Sequence, residues 1–165
     1  MLEHTVEQVK QTKKYFEKQN YKKNYLIIGG REIEYYVAKK NFNLDLKDFV
    51  YRASNTAEKI YTMAVSESIP ENLRPYFALE EFIEFMEKGI GYKKRVLDSE
   101  KETLKFVPEE LKKDYLDRRI KLFERELELN EQQPEKYALN TEGDNGCEEF
   151  ENNLKYLRQE LEKIN

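Results

Sequence analysis

The chain has 165 residues, 38% charged and 13% aromatic, so it is long enough to bury one sizeable core and too rich in Tyr and Phe to stay disordered. Its single cysteine, Cys147, excludes an internal disulfide, and its single histidine, His4, leaves little material for metal or nucleophilic chemistry. Net charge is -4, with a surplus of bases in the first sixty residues and a surplus of acids beyond them, densest after residue 126.

With 6 Gly and 4 Pro, the composition argues against a turn-rich sandwich or barrel, and the abundance of Glu, Lys and Leu suits helices. The expected fold is therefore mainly α: a single compact helical domain over residues 1–165, of six to seven helices, with one short strand around 25–28. Leu2, Val6, Val9 and Phe16 predict a first helix from about Thr5 to Lys18. Tyr25 to Ile28 is a short apolar run before Gly29-Gly30, and it reads as a brief strand ahead of a turn. A short second helix is expected from Arg31 or Glu32, with Ile33, Tyr36 and Val37 on one face.

From Leu46 to Val65 the apolar residues recur at gaps of three, four and one, the pattern of an amphipathic helix capped by Asp45. Ala53, Ala57 and Ala64 on that face predict the close approach of a neighbour. Tyr76 to Ile90 forms the next helical stripe, ending at Gly89 and Gly91. Ser99 and Glu102 have capping-box spacing, which predicts a short helix starting there. Pro108, Glu109 and Glu110 open a long helix to about Leu129, with Leu111, Tyr115, Leu116, Ile120, Phe123 and Leu127 inward. An acidic loop at about 130–146 and a last amphipathic helix at about 147–164 complete the chain.

No constellation commits the sequence to a reaction, and no catalytic, cofactor-binding or metal-ligating residue is assigned. Gly29-Gly30 is half of a phosphate-binding turn, without the fingerprint of a dinucleotide site or the Gly-Lys-Ser/Thr of a P-loop. Asn140, Glu142, Asp144 and Glu151 fall at calcium-loop positions, but Asn145 stands where the loop requires glycine. Glu80, Glu81, Glu84 and Glu87 have Glu-x-x-Glu spacing, yet a di-iron bundle needs Glu-x-x-His on two helices, which one histidine cannot supply. Cys147 with His4 is the one conceivable nucleophile and base pair. Arg118-Arg119 lies among acids at helical spacing and reads as salt-bridged surface.

Two surfaces remain. Lys13, Lys14, Lys22 and Lys23 interleave with Tyr and Phe, a mixture that can follow a phosphate backbone and stack on bases. Phe150, Leu154, Leu157, Leu161 and Ile164 repeat at gaps of four and three, a narrow seam suited to a partner helix or to the chain's own core. The expectation is a non-enzymatic, cytoplasmic protein that needs no cofactor and binds another protein or itself, the latter as a homodimer. Nucleic-acid binding through the basic N-terminal third is the alternative, and a small enzyme the third. No membrane role is expected, because wholly apolar runs such as Leu26 to Ile28 reach only three residues and the first fourteen residues lack the apolar stretch of a signal peptide.

Overall fold

The computed structural model describes residues 3–137 and 146–165, and it corrects the mainly helical expectation: a four-stranded mixed sheet lies between one helix and a layer of four others, an α+β fold. In chain order the elements are α1 (Val6–Lys18), β1 (Lys22–Ile28), β2 (Arg31–Ala38), a short 3-10 turn (Lys40–Phe42), β3 (Val50–Asn55), β4 (Ile60–Ser66), α2 (Arg74–Phe82), α3 (Arg95–Leu104), α4 (Glu109–Gln132) and α5 (Gly146–Ile164). The helical-bundle reading of the composition fails because residues 22–66 carry the sheet. Among the described residues no helix is long and apolar enough to cross a membrane.

The sheet order is β1-β2-β4-β3, with β1 and β2 antiparallel from Lys22↔Val37 to Ile28↔Arg31. β2 and β4 run parallel, and β3 and β4 form an antiparallel hairpin from Val50↔Val65 to Asn55↔Ile60. Thus the predicted helix at Arg31 is β2, and the predicted central helix from Leu46 to Val65 is the β3-β4 hairpin. Asp45 caps no helix there; its carboxylate accepts hydrogen bonds from Tyr137 and Lys136.

One face of the sheet packs on α1, where Phe16 is fully buried against Tyr36, Ala38, Phe49 and Ala64. The small side chains of Ala38 and Ala64 let that ring reach the sheet. The opposite face, with Ile33, Tyr35, Met63 and Val65, packs on α2 to α5 and forms the main core with Phe77, Leu79, Tyr115, Leu116 and Leu157. Thr5 caps α1 in a reciprocal box with Gln8, placing its start within a residue of expectation. α3 starts at Arg95, not Ser99, whose hydroxyl bonds the Val96 carbonyl and Glu80 instead of opening a helix.

Gly29 and Gly30 have φ of +57° and +77°, the conformation of a two-residue hairpin turn. No helix follows them, which removes the helix-terminus motive for an anion site. A Cβ on Gly29 would stand 2.7 Å from both the Phe106 ring and the Arg31 guanidinium, whereas one on Gly30 would meet nothing within 4 Å. Gly29→Ala is expected to lower stability by about 2–3 kcal/mol and Gly30→Ala by about 1 kcal/mol, because both lose left-handed freedom but one also overpacks. Urea unfolding of the two variants checks the difference; equal losses would mean that Phe106 yields freely.

Candidate functional site: a buried carboxylate cluster

α2 runs directly into a wider π-helical segment, Ile83–Lys88, and across the junction it carries Glu80, Glu81 and Glu84 toward α3, α4 and β3. Local widening of this kind repositions side chains and recurs at functional sites. On α4, Tyr115, Arg119, Phe123 and Glu126 follow at intervals of four, four and three, so they share the inward face.

Arg119 is the centre of the network. Its guanidinium lies 3.1 Å from Glu80 and 2.9 Å from Glu100, sandwiched near the rings of Phe77 and Phe123. Ser99 donates to Glu80 at 2.9 Å, while Tyr115 and Asn153 donate to Glu100 at 2.6 and 3.3 Å. Arg95 pairs with Glu84 at 3.2 Å, and Arg52 with Glu81 at 3.7 Å. The Arg52 and Arg95 guanidiniums both lie over the Phe85 ring, at 3.6 and 4.9 Å.

Five carboxylates, Glu80, Glu81, Glu84, Glu100 and Glu126, thus share three arginines. Glu126 makes no hydrogen bond or ion pair with any described residue, although it lines the same cavity as Glu80, Glu81, Glu84 and Arg119. Burial pushes Glu81 up to about 8, helped by neighbouring Glu80. Burial likewise pushes Glu84 and Glu126 up to about 7, and raises Glu80 despite Arg119. Burial also works against the charge of Arg119, but Glu100 and Glu80 outweigh it and hold the cation firmly protonated.

The cavity measures about 100 Å³, and Phe85, Phe123 and Phe150 supply its apolar walls. Val50 and Glu81 also line a much larger groove of about 760 Å³ between α1 and the β3 edge, along with Gln8, Thr12, Tyr15 and Tyr51. The groove and the cavity therefore share Val50 and Glu81 in their linings. Glu80, Glu81 and Glu84 each place an oxygen within 4.8 Å of the others, close enough to converge on one cation. Carboxylates in excess of arginines, three of them buried and Glu81 and Glu126 half-buried, are costly to stability once ionised.

The residues singled out from sequence are distributed elsewhere. Phe150, Leu154 and Leu157 enter the main core, Leu161 packs against it, and Ile164 is 42% exposed. Lys13 and Lys23 converge on Glu34 at 3.9 and 3.4 Å from α1 and β1, which offsets their charge, while Lys14 and Lys22 stay exposed. His4 lies against Ser54, and exposed Cys147 faces Asn130, so they occupy different surroundings. Asn140, Glu142 and Asp144 lie outside the described residues. Arg118 is a partly exposed partner of Asp48 and Asp114, as read, but Arg119 is buried and not surface. The missed signal was Arg119 inside the stripe Tyr115, Arg119, Phe123: a cation on an inward face demands buried acids from elsewhere.

No protein family, no curated protein and no solved structure matches this chain.

Proposed function

We propose that this protein is a binding module for an extended, basic segment of another protein, which lies in the groove between α1 and β3 and inserts one Lys or Arg side chain into the carboxylate cavity. The observation that carries this reading is the charge imbalance, with five carboxylates to three arginines and Glu126 unmatched inside the cavity. An entering cation supplies the missing charge in a setting of low dielectric, where it is worth far more than at the surface. The shared wall of groove and cavity lets one peptide use both, its backbone along α1 and its side chain past Val50 and Glu81. The nucleic-acid alternative rests on Lys13, Lys14, Lys22 and Lys23, of which Lys13 and Lys23 are already held by Glu34.

The test uses N-acetyl-arginine-N-methylamide, its lysine counterpart and the uncharged norleucine analogue as probes, titrated into the isotopically labelled protein by NMR. The expected result is saturable millimolar binding of the two cations, with shifts centred on residues 80–85 and 119–126. Binding of the norleucine analogue should be at least tenfold weaker. Glu126→Gln, which keeps the shape of the side chain and leaves the ion pairs of the three arginines intact, should abolish the preference. Equal binding of all three probes, or an unchanged preference in the variant, would overturn the proposal. Micromolar binding of Mn²⁺ that displaces the probes would assign the cavity to a metal ion instead.

A further inference from the structure

The two edges of the sheet are treated differently. On β3, the His4 amide donates to the Ser54 carbonyl at 2.9 Å, its imidazole Nδ1 accepts from the Ser54 amide, and Glu3 accepts from the Thr56 amide, so the N-terminal segment covers that end of the edge. On β1, at the opposite edge, no described residue covers the outer side. The two-residue turn at Gly29-Gly30 fixes Ile28 and Arg31 as a pair that exchanges both backbone bonds. By alternation, Leu26, Asn24 and Lys22 bond inward to β2, and Lys23, Tyr25 and Ile27 turn their N–H and C=O groups outward.

The side chains of these same three residues share the sheet face on which α1 sits, but α1 packs over β3 and β4 and leaves them uncovered. Tyr25 is 71% exposed and Ile27 78%. The register of β1 is unbroken over seven residues, with no bulge and no proline to blunt it.

We propose that two copies of this chain pair through β1, antiparallel about a two-fold axis at Tyr25, to form a continuous eight-stranded sheet. The outward positions 23, 25 and 27 are symmetric about residue 25, so every outward N–H meets a C=O of the other copy. Tyr25 stands opposite its own equivalent, and Lys23 opposite Ile27. Charge favours a second copy as the occupant. Within the chain, Lys23 and Lys13 share the single carboxylate of Glu34, whereas exposed Glu32, the cross-strand neighbour of Ile27, has no ion pair among the described residues. Across the axis, Glu32 of each copy lies in the same row as Lys23 of the other, one strand beyond Ile27 and about 10 Å away between Cα atoms, where a lysine stem laid over Ile27 can reach it. The contact is smaller than the roughly 800 Å² per partner of a standard interface, so a weak dimer with Kd of about 1–100 µM is expected. Pairing at β1 leaves the β3 groove and the carboxylate cavity open in both copies, at opposite ends of the joined sheet.

Sedimentation of the full chain from 5 to 500 µM tests the proposal. The expected result is a monomer–dimer equilibrium. Ile27→Lys, which sets like charges opposite each other twice across the axis, should weaken it at least tenfold, and adding Lys23→Glu to that variant should restore it. In a Cys147→Ser background, Tyr25→Cys should oxidise to a disulfide-linked dimer, because paired Cα atoms about 5.5 Å apart suit the bridge, while Leu44→Cys on another exposed surface should not. A wild type that is monomeric at 500 µM would overturn the proposal. So would a dimer indifferent to Ile27→Lys, or equal cross-linking of the two cysteine variants.

Discussion

Replacing Arg119 with methionine is expected to lower stability by about 3–5 kcal/mol, a large share of the roughly 5–15 kcal/mol that holds a domain of this kind together. Methionine keeps the length of the stem between Phe77 and Phe123, so little packing is lost. What is lost is the one cation that both Glu80 and Glu100 contact. Two carboxylates then remain buried with only Ser99, Tyr115 and Asn153 as donors, and they escape the penalty only by taking up protons. The loss should therefore be larger at pH 8 than at pH 5. Adding Glu100→Gln, which removes one of the stranded charges, should recover part of it. Urea unfolding of wild type, single and double variants at the two pH values measures all three quantities. A loss below 1 kcal/mol, or one independent of pH, would mean that Arg119 is not the clamp of the cluster.

How much of this was legible in the sequence depends on how many layers each element touches. α1, α4 and α5 each bury one stripe and expose the rest, so their periodicity is clean, and the strand at 25–28 was visible because turn glycines follow it. β3 and β4 were read as one helix because they touch two layers. Phe49 and Ala64 face α1, while their neighbours Val50 and Val65 face the main core. Adjacent apolar residues that belong to opposite faces of a sheet mimic the paired positions of a helix, and strands covered on both sides lose the alternation that would identify them. In β2 the alternation was present, in Glu32, Ile33, Glu34 and Tyr35, but Tyr36 obscured it by burying on the other face.

The site was harder to see than the fold, for a different reason. Glutamate on a helix is solvated by default, and the spacing of Glu80, Glu81 and Glu84 says nothing of what stands opposite. Their partners are Arg52, Arg95 and Arg119, on three other elements. Such a cluster exists only once the chain is folded, and its one local trace was the arginine in an apolar stripe.

The protonation of the cluster carries the second large effect: stability should fall as pH rises from about 5 to 8.5, by about 2–4 kcal/mol in total. Most carboxylates act in the opposite sense. Here Glu81, held near 8, and Glu84 and Glu126, held near 7, keep their protons in the folded protein well above the ordinary value of 4.5 at which the unfolded chain releases them. Between those limits the folded state binds more protons than the unfolded one, so each rise in pH favours unfolding. The contribution is fully present below pH 4.5 and spent above pH 8. Because the three groups interact, the loss is less than the sum of three independent titrations. Glu102, pulled below 4.5 by Arg31 and Lys88 against its burial, works in the usual sense and weakens the fold as pH drops further, which places the optimum near pH 5. Denaturant midpoints measured at half-unit steps give the curve, and Glu126→Gln should flatten its descent and raise stability at pH 8 by about 1–2 kcal/mol. A curve that climbs from pH 5 to 8 would show that the cluster is already ionised and balanced. If the descent is found and a cationic probe removes it, then the proton at low pH and the visitor at high pH are meeting the same unmatched charge.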